Sequence, residues 1–358
     1  MSFEKIAVFR ALQLGDLLNT IPAIRALRRA YPDAEITLLG LPWAGGFVRR
    51  FSKYFDRFIH FPGYPGLPEQ EFDSAAFGHF LKEMQAEQFD LLLQMQGNGT
   101  IVNRLLEQFG ALRLAGFHNG DSRMDPSWFV EYPERVHEIK RHQVLMAHLG
   151  IALAGNELEF PLTVKDQEEF EGLDLSLCAR HYVCIHPGSR GGWRQWPPAY
   201  FALLADYCAE KGLNIVITGT ADEIDITREV IKCLHYPAID LTGRTTMGAM
   251  GVLLRNAFLL ISNCTGVSHM AAALRTPSVI ISMDGEAHRW APLDRRLHRT
   301  IDWTGHPRID EVVLELEELC REITAEFGAF PGNAVGGDKT SVHFHDPFGD
   351  GQAGSAAF

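Results

Sequence analysis

Two kinds of segment alternate along the chain. Short runs that are apolar throughout, KIAVF (5–9), EITLLG (35–40), RFIHF (57–61) and DLLLQM (90–95), are separated by stretches such as IPAIRALRRA, where apolar residues recur with helical spacing. Runs that are apolar at every position suit strands covered on both faces, so the pattern predicts βαβα units around a parallel sheet. The signal fades between residues 117 and 180, where ELEFPLTVKDQEEFEGLDLSL reads as a connector. It resumes with YVCIHPGS (182–189), NIVITGT (214–220), AFLLISN (257–263) and PSVIISMDG (277–285). The expected fold class is α/β, with two Rossmann-like doubly wound parallel-sheet domains, residues 1–165 and 166–328. Residues 329–358 are rich in Gly, Ala and Asp without periodicity and read as a disordered tail, in which His343 and His345 are incidental.

In open α/β sheets ligands collect at the carboxyl ends of the strands. The loops GDLLNT, QGNG, HPGSRGG, GTADE, NCTG and MDGE all follow predicted strands, so they are the candidate site loops, and two such domains facing each other would gather them at a central cleft. Composition narrows the chemistry. The formal charge of −12 speaks against a nucleic-acid-binding surface over most of the chain, which would need clustered Lys and Arg. Residues 1–60 are a local exception, with nine Lys or Arg against five acids, a pattern that fits solvated helix faces better than an anion-binding surface. The six cysteines form no C-x-x-C pair and the first residues lack the run of a signal peptide, so reduced, cytoplasmic thiols are expected. No stretch is apolar for long enough to span a membrane.

Several cofactor chemistries lose support from missing motifs. The first strand runs into FRALQLGD, with a single glycine where a dinucleotide fingerprint needs several, and no G-x-x-x-x-G-K-[ST] occurs. No Asp-X-Asp pair is present to hold a divalent ion on a diphosphate. The turn Cys264, Thr265, Gly266 opens the helical stretch VSHMAAAL, whose free N–H groups and dipole favour an anion, although an ordinary capped helix start would look the same. Arg194, with His186, Ser189, Arg190 and His269, could add donors. A thiol at Cys264, beside a helix N-terminus, is expected to be acidic and reactive. Asp16 stands out as a carboxylate among leucines at the end of the first strand. It is either a functional acid or the cap of the following helix.

The order of these loops, LGDLLNTIPAIRALRRAYPDAEI, QGNG, HPGSRGGWRQWPPAYFALL, ITGTADE, LTGRTTMGAMGVLL and SNCTGVSHMAAALRTPSVIISMDGEAHRWAPL, closely resembles glycosyltransferase family 9, the bacterial heptosyltransferase family, over about residues 5–300. The resemblance implies a GT-B fold and an inverting, metal-independent transfer of a sugar, usually heptose from ADP-heptose, to a lipopolysaccharide-like or other glycan or glycolipid acceptor. It implies no cofactor beyond the nucleotide-sugar substrate, and a cytoplasmic enzyme in peripheral contact with the inner face of a membrane. It makes Asp16 the catalytic base, and Ser189, Arg194, Glu223, Met247, Cys264, Thr265, Gly266 and His269 the donor-binding set. It places Gln96 and Asn98 on the acceptor side. Two positions depart from the family pattern: Arg194 stands where Lys is usual, and Cys264 where an acid is usual, which bears on donor-sugar identity. Rival readings are a catalytically silent sugar-nucleotide-binding or scaffold protein of the same fold, and a sugar-nucleotide epimerase, which would need paired acids and a base in the donor domain.

Overall fold

The computed structural model describes residues 3–327; the expected tail at 329–358, with His343 and His345, lies outside the described residues. The chain divides into two compact units at Pro161/Leu162. This is slightly ahead of the expected boundary at 165, because the Thr163 hydroxyl already caps a helix that packs within the second unit.

In the first unit β1 (Lys5–Phe9), α1 (Leu14–Ala30), β2 (Glu35–Gly40), α2 (Ala44–Arg50) and β3 (Arg57–His60) are followed by α3 (Ser74–Glu87), β4 (Leu91–Gln94) and α4 (Val102–Leu106), then by β5 (Leu114–His118), β6 (Phe129–Glu131) and α5 (Glu138–His148). The sheet order is β3-β2-β1-β4-β5-β6, all parallel. The second unit opens with α6 (Val164–Glu171), β7 (Tyr182–His186), α7 (Pro198–Glu210), β8 (Asn214–Ile217), α8 (Ile224–Cys233) and β9 (Ala238–Asp240). It continues with α9 (Met247–Asn256), β10 (Leu259–Asn263), α10 (Gly266–Leu274), β11 (Ser278–Ser282), α11 (Ala287–Trp290), β12 (His298–Asp302) and α12 (Ile309–Phe327). Its order, β12-β11-β10-β7-β8-β9, repeats the first topology and is again parallel throughout.

Helices cover both faces of the central strands, so β7, β10 and β11 are buried along their whole length and mainly apolar, with polar His186, Ser262, Asn263, Ser278 and Ser282 toward their ends. Each fully buried aliphatic or aromatic side chain in these layers contributes about 1.5–3 kcal/mol. The core of the first unit gathers Phe9, Phe61, Phe80 and Phe109. That of the second centres on Trp196, with its ring 5.1 Å from Tyr200 and 5.2 Å from Trp303.

In each sheet the winding direction reverses between two neighbouring strands, β1 and β4 in the first unit and β7 and β10 in the second. Loops leaving the carboxyl ends of such a pair diverge to opposite faces and open a crevice.

Candidate active site

In the first unit the switch-point loops carry Asp16 and Gln96. Asp16 lies in the first turn of α1, where a carboxylate complements the helix dipole. Its Oδ2 accepts from the Gln13 N–H at 3.2 Å, and its Oδ1 lies 3.4 Å from Arg10 Nη2. Its side chain is 23% exposed, so the group is fixed yet reachable. Asp16 is thus not the N-cap, which is Gln13, but the third residue of a capping box through one oxygen, while its other oxygen faces a cation.

Arg10 is itself buried and fully engaged. It donates from Nε to the Asp16 carbonyl at 3.0 Å, from Nη1 to the Met95 carbonyl, and from Nη2 to Glu138 Oε1 at 2.9 Å. Glu138, at the start of α5, also pairs with buried Arg141, and His142 Nε2 lies 3.3 Å from it. α1 and α5 pack together, which brings residues far apart in sequence under the β1 end. Arg10 and Arg141 thus share the Glu138 carboxylate in a buried set, with the partly exposed Asp16 at its edge. The imidazole stays neutral because burial, then the charge of Arg10, pulls His142 down to about 4. Removing one partner from such a set would leave an uncompensated buried charge, which is strongly unfavourable.

Gln96 is buried, its Oε1 accepting the Ala11 N–H at 2.8 Å and its carbonyl accepting from Gln94 Nε2 at 2.6 Å. The side chain ties the β4 loop to the β1 loop. Asn98 accepts from Thr100 N–H and Oγ–H in a turn of its own. Lys5, Arg25, Arg28, Lys53 and Arg57 of the basic stretch form ion pairs with nearby acids.

In the second unit the β10 end is held by Asn263. Its Nδ2 donates to the Pro187 carbonyl at 2.6 Å, and its Oδ1 accepts the Trp196 N–H at 3.0 Å, so one amide ties both ends of the β7–α7 loop to the end of β10. Buried Ser189 is held in the same loop, its carbonyl accepting from Gln195 Nε2 at 3.0 Å. Arg194 ends a short 3-10 turn, Gly192–Arg194, anchored by the buried ring of Trp196. Its Nη2 lies 2.6 Å from Asp284 Oδ2. Thr265 is the N-cap of α10 and Gly266 its first residue. The Ser268 hydroxyl accepts from the Thr265 N–H at 3.2 Å and donates to the Thr265 carbonyl at 2.7 Å. Thr265 Oγ1 is buried and makes no cap hydrogen bond. A helix N-terminus with an unmatched hydroxyl beside an arginine is suited to an oxyanion. His269 is buried with its ring 6.1 Å from that of Trp290.

At the neighbouring strand end, His186 Nδ1 lies 3.0 Å from Thr218 Oγ1 and Nε2 lies 3.7 Å from Glu223 Oε2. Burial lowers the pKa of His186. Glu223 Oε2 accepts the Thr220 N–H at 2.8 Å. Met247 is half-buried at the start of α9, and Arg190 is exposed.

The expectation for Cys264 is overturned. The residue is only 6% exposed, and burial, reinforced by the charge of Asp284, pushes its thiol up to about 12. That shift runs opposite to the acidic thiol expected beside a helix N-terminus. Arg10, Glu138, Arg141, Asn263 and Asp284 escaped the sequence reading. Only Asp284 left a signal, an acid directly after the apolar run SVIISM.

The family model of glycosyltransferase family 9 (heptosyltransferase) matches residues 77–306, well over half of the chain. The chain belongs to glycosyltransferase family 9. The family 9 enzyme is 24% identical over 312 residues to lipopolysaccharide heptosyltransferase 3 of Escherichia coli, covering 82% of this chain and 87% of that protein. Among solved structures it is similar to E. coli ADP-heptose lps heptosyltransferase II, with a TM-score of 0.69 at 18% identity over 89% of this chain and 99% of that one. It is also similar to E. coli heptosyltransferase WaaC with ADP, with a TM-score of 0.65 at 16% identity over 88% and 99%. These likenesses bear out the α/β, GT-B type fold class, and family membership makes the chain a glycosyltransferase. Among the described residues no group of three or more His, Cys, Asp or Glu is placed to hold a metal ion, and no helix is long and apolar enough to cross a membrane.

Proposed function

We propose that this glycosyltransferase moves a heptose from ADP-heptose to a hydroxyl of a lipopolysaccharide-type glycan, with inversion and without a metal ion. The first unit takes the acceptor and the second takes the donor. The observation that carries the reading is that the chemically apt residues of each unit fall at the topological switch point of its own sheet, Asp16 after β1 and Arg194 with Thr265 and Gly266 after β7 and β10. The relatives named above are lipopolysaccharide or ADP-heptose enzymes, which favours that donor and acceptor. The acceptor being part of a lipid-anchored glycan, a peripheral membrane contact on the cytoplasmic side belongs to the same proposal.

In the proposed step the acceptor oxygen attacks the anomeric carbon as its proton passes to Asp16, and the bond from that carbon to the diphosphate oxygen breaks. A single displacement of this kind inverts the anomeric centre. Asp16 contributes general-base catalysis, worth roughly 10²–10⁴ in rate. The charge that develops on the departing diphosphate is met by Arg194 and by the N–H groups and hydroxyl at the start of α10, fixed dipoles that need no rearrangement. Glu223 accepts hydrogen bonds from the ribose and Met247 lies against the base.

The test is ADP release from ADP-heptose in the presence of a core-glycan acceptor, with and without EDTA. Acceptor-dependent release that survives EDTA and yields the inverted linkage is the expected result. A requirement for added magnesium or manganese contradicts the proposed leaving-group chemistry, and no release at all contradicts the donor.

A further inference from the structure

Asp284 is the feature of the second unit that the proposed step does not use. It follows β11, while Arg194 follows β7, and β10 runs between those two strands. The Arg194–Asp284 pair therefore crosses the carboxyl end of β10, where Cys264, Thr265 and Gly266 lie. The thiol of Cys264 feels both charges, Asp284 raising its pKa and Arg194 lowering it.

The carboxylate is fixed before it meets the arginine. Its side chain is 7% exposed, and its Oδ1 accepts from Ser282 Oγ–H at 2.9 Å and from the Glu286 N–H at 3.1 Å, leaving Oδ2 to Arg194 at 2.6 Å. Arg194 by contrast is 30% exposed and sits on a glycine-flanked loop, SRGGWRQ. A long side chain there has rotamer freedom that a ligand would have to remove on binding. A guanidinium also has more N–H donors than one carboxylate oxygen can engage.

We propose that Asp284 is a positioning residue for the donor: it holds Arg194 by one nitrogen across the N-terminus of α10, so that the rest of the fork is pre-set for diphosphate oxygens. The inference rests on the reading of Arg194 as a diphosphate contact. Asp284 acts through Arg194 and does not itself touch the diphosphate.

A double-mutant cycle on the full chain tests this, with ADP as the probe, titrated calorimetrically against the parent, Asp284→Asn, Arg194→Ala and the double variant. Asn keeps an oxygen for Ser282 and Glu286, so the turn is retained, and unfolding temperatures without ADP verify it. Loss of the charged partner is expected to weaken ADP roughly tenfold, with Arg194→Ala weakening it by at least as much. Adding Asp284→Asn to Arg194→Ala is expected to change nothing further, and Asp284→Glu to recover part of the affinity. Parent-like affinity in Asp284→Asn while Arg194→Ala is impaired overturns the positioning role alone, as does an undiminished effect of Asp284→Asn in the Arg194→Ala background. Parent-like affinity in Arg194→Ala overturns both the positioning role and the diphosphate contact on which it rests.

Discussion

At position 188 a side chain has no room: a Cβ built on Gly188 would lie 2.1 Å from Glu223 Oε1 and from its carboxyl carbon. The glycine of HPGS thus lets the β7 loop and the Glu223 carboxylate occupy adjoining space, with Glu223 pinned by the Thr220 N–H. Gly188→Ala is expected to displace the carboxylate and weaken ADP roughly tenfold, the scale of one charge-assisted hydrogen bond, as measured by calorimetry. Undiminished affinity would place Glu223 outside the nucleotide contact. Residues of this kind are only partly legible in a sequence. Asp16 and Thr265 stand out because each is a polar group where an apolar strand gives way to the helix that follows it, the place where ligands collect in open α/β sheets. Arg10, Glu138 and Arg141 do not, since a buried charge and a solvated one are the same letter. Their pairing joins the end of β1 to the start of α5, a separation that no local pattern spans.

Among the elements, β1, β2, β4, β7, β8, β10 and β11 were readable because helices on both faces demand largely apolar runs. β5, β6, β9 and β12 were not. LAGFH carries a glycine, FVE and AID are very short, and HRTID is half polar, as edge strands with one open side permit. The x-W-P loop carries the proposed diphosphate contact Arg194 and is anchored by its tryptophan. Trp196 is fully buried against Tyr200, Phe201 and Trp303, and its backbone N–H is held by Asn263. Trp196→Ala is expected to cost about 3–5 kcal/mol in chemical unfolding and to weaken ADP by loosening Arg194. Trp196→Phe is expected to cost less than half as much, because the indole Nε1 has no hydrogen-bond partner to lose. Equal losses in the two variants would show that cavity volume does not dominate at this site.

For the whole molecule, two buried histidines contribute to the loss of stability in acid. His142 and His298 are both pulled from 6.5 to about 4, chiefly by burial. The folded state holds them neutral, whereas the unfolded chain protonates them near 6.5. Their contribution is therefore complete above about pH 6.5 and is lost as the pH falls toward 4, by up to roughly 3 kcal/mol each. The urea midpoint should fall across that window, and His142→Phe should fall less steeply than the parent; a parallel fall in both would remove His142 from the account. The proposed division of labour between the units is open to a sharper test, since it gives the base to one and the donor contacts to the other. Asp16→Asn keeps an oxygen for the Gln13 N–H, and Arg10 keeps its bonds to Met95 and Glu138, so the fold should persist. The decisive measurement is the turnover of Asp16→Asn beside its ADP affinity. With Asp16 as the base, kcat is expected to fall by roughly 10²–10⁴ with the ADP dissociation constant within about twofold of the parent. Parent-like turnover in the folded variant would contradict the assignment of Asp16 as the base.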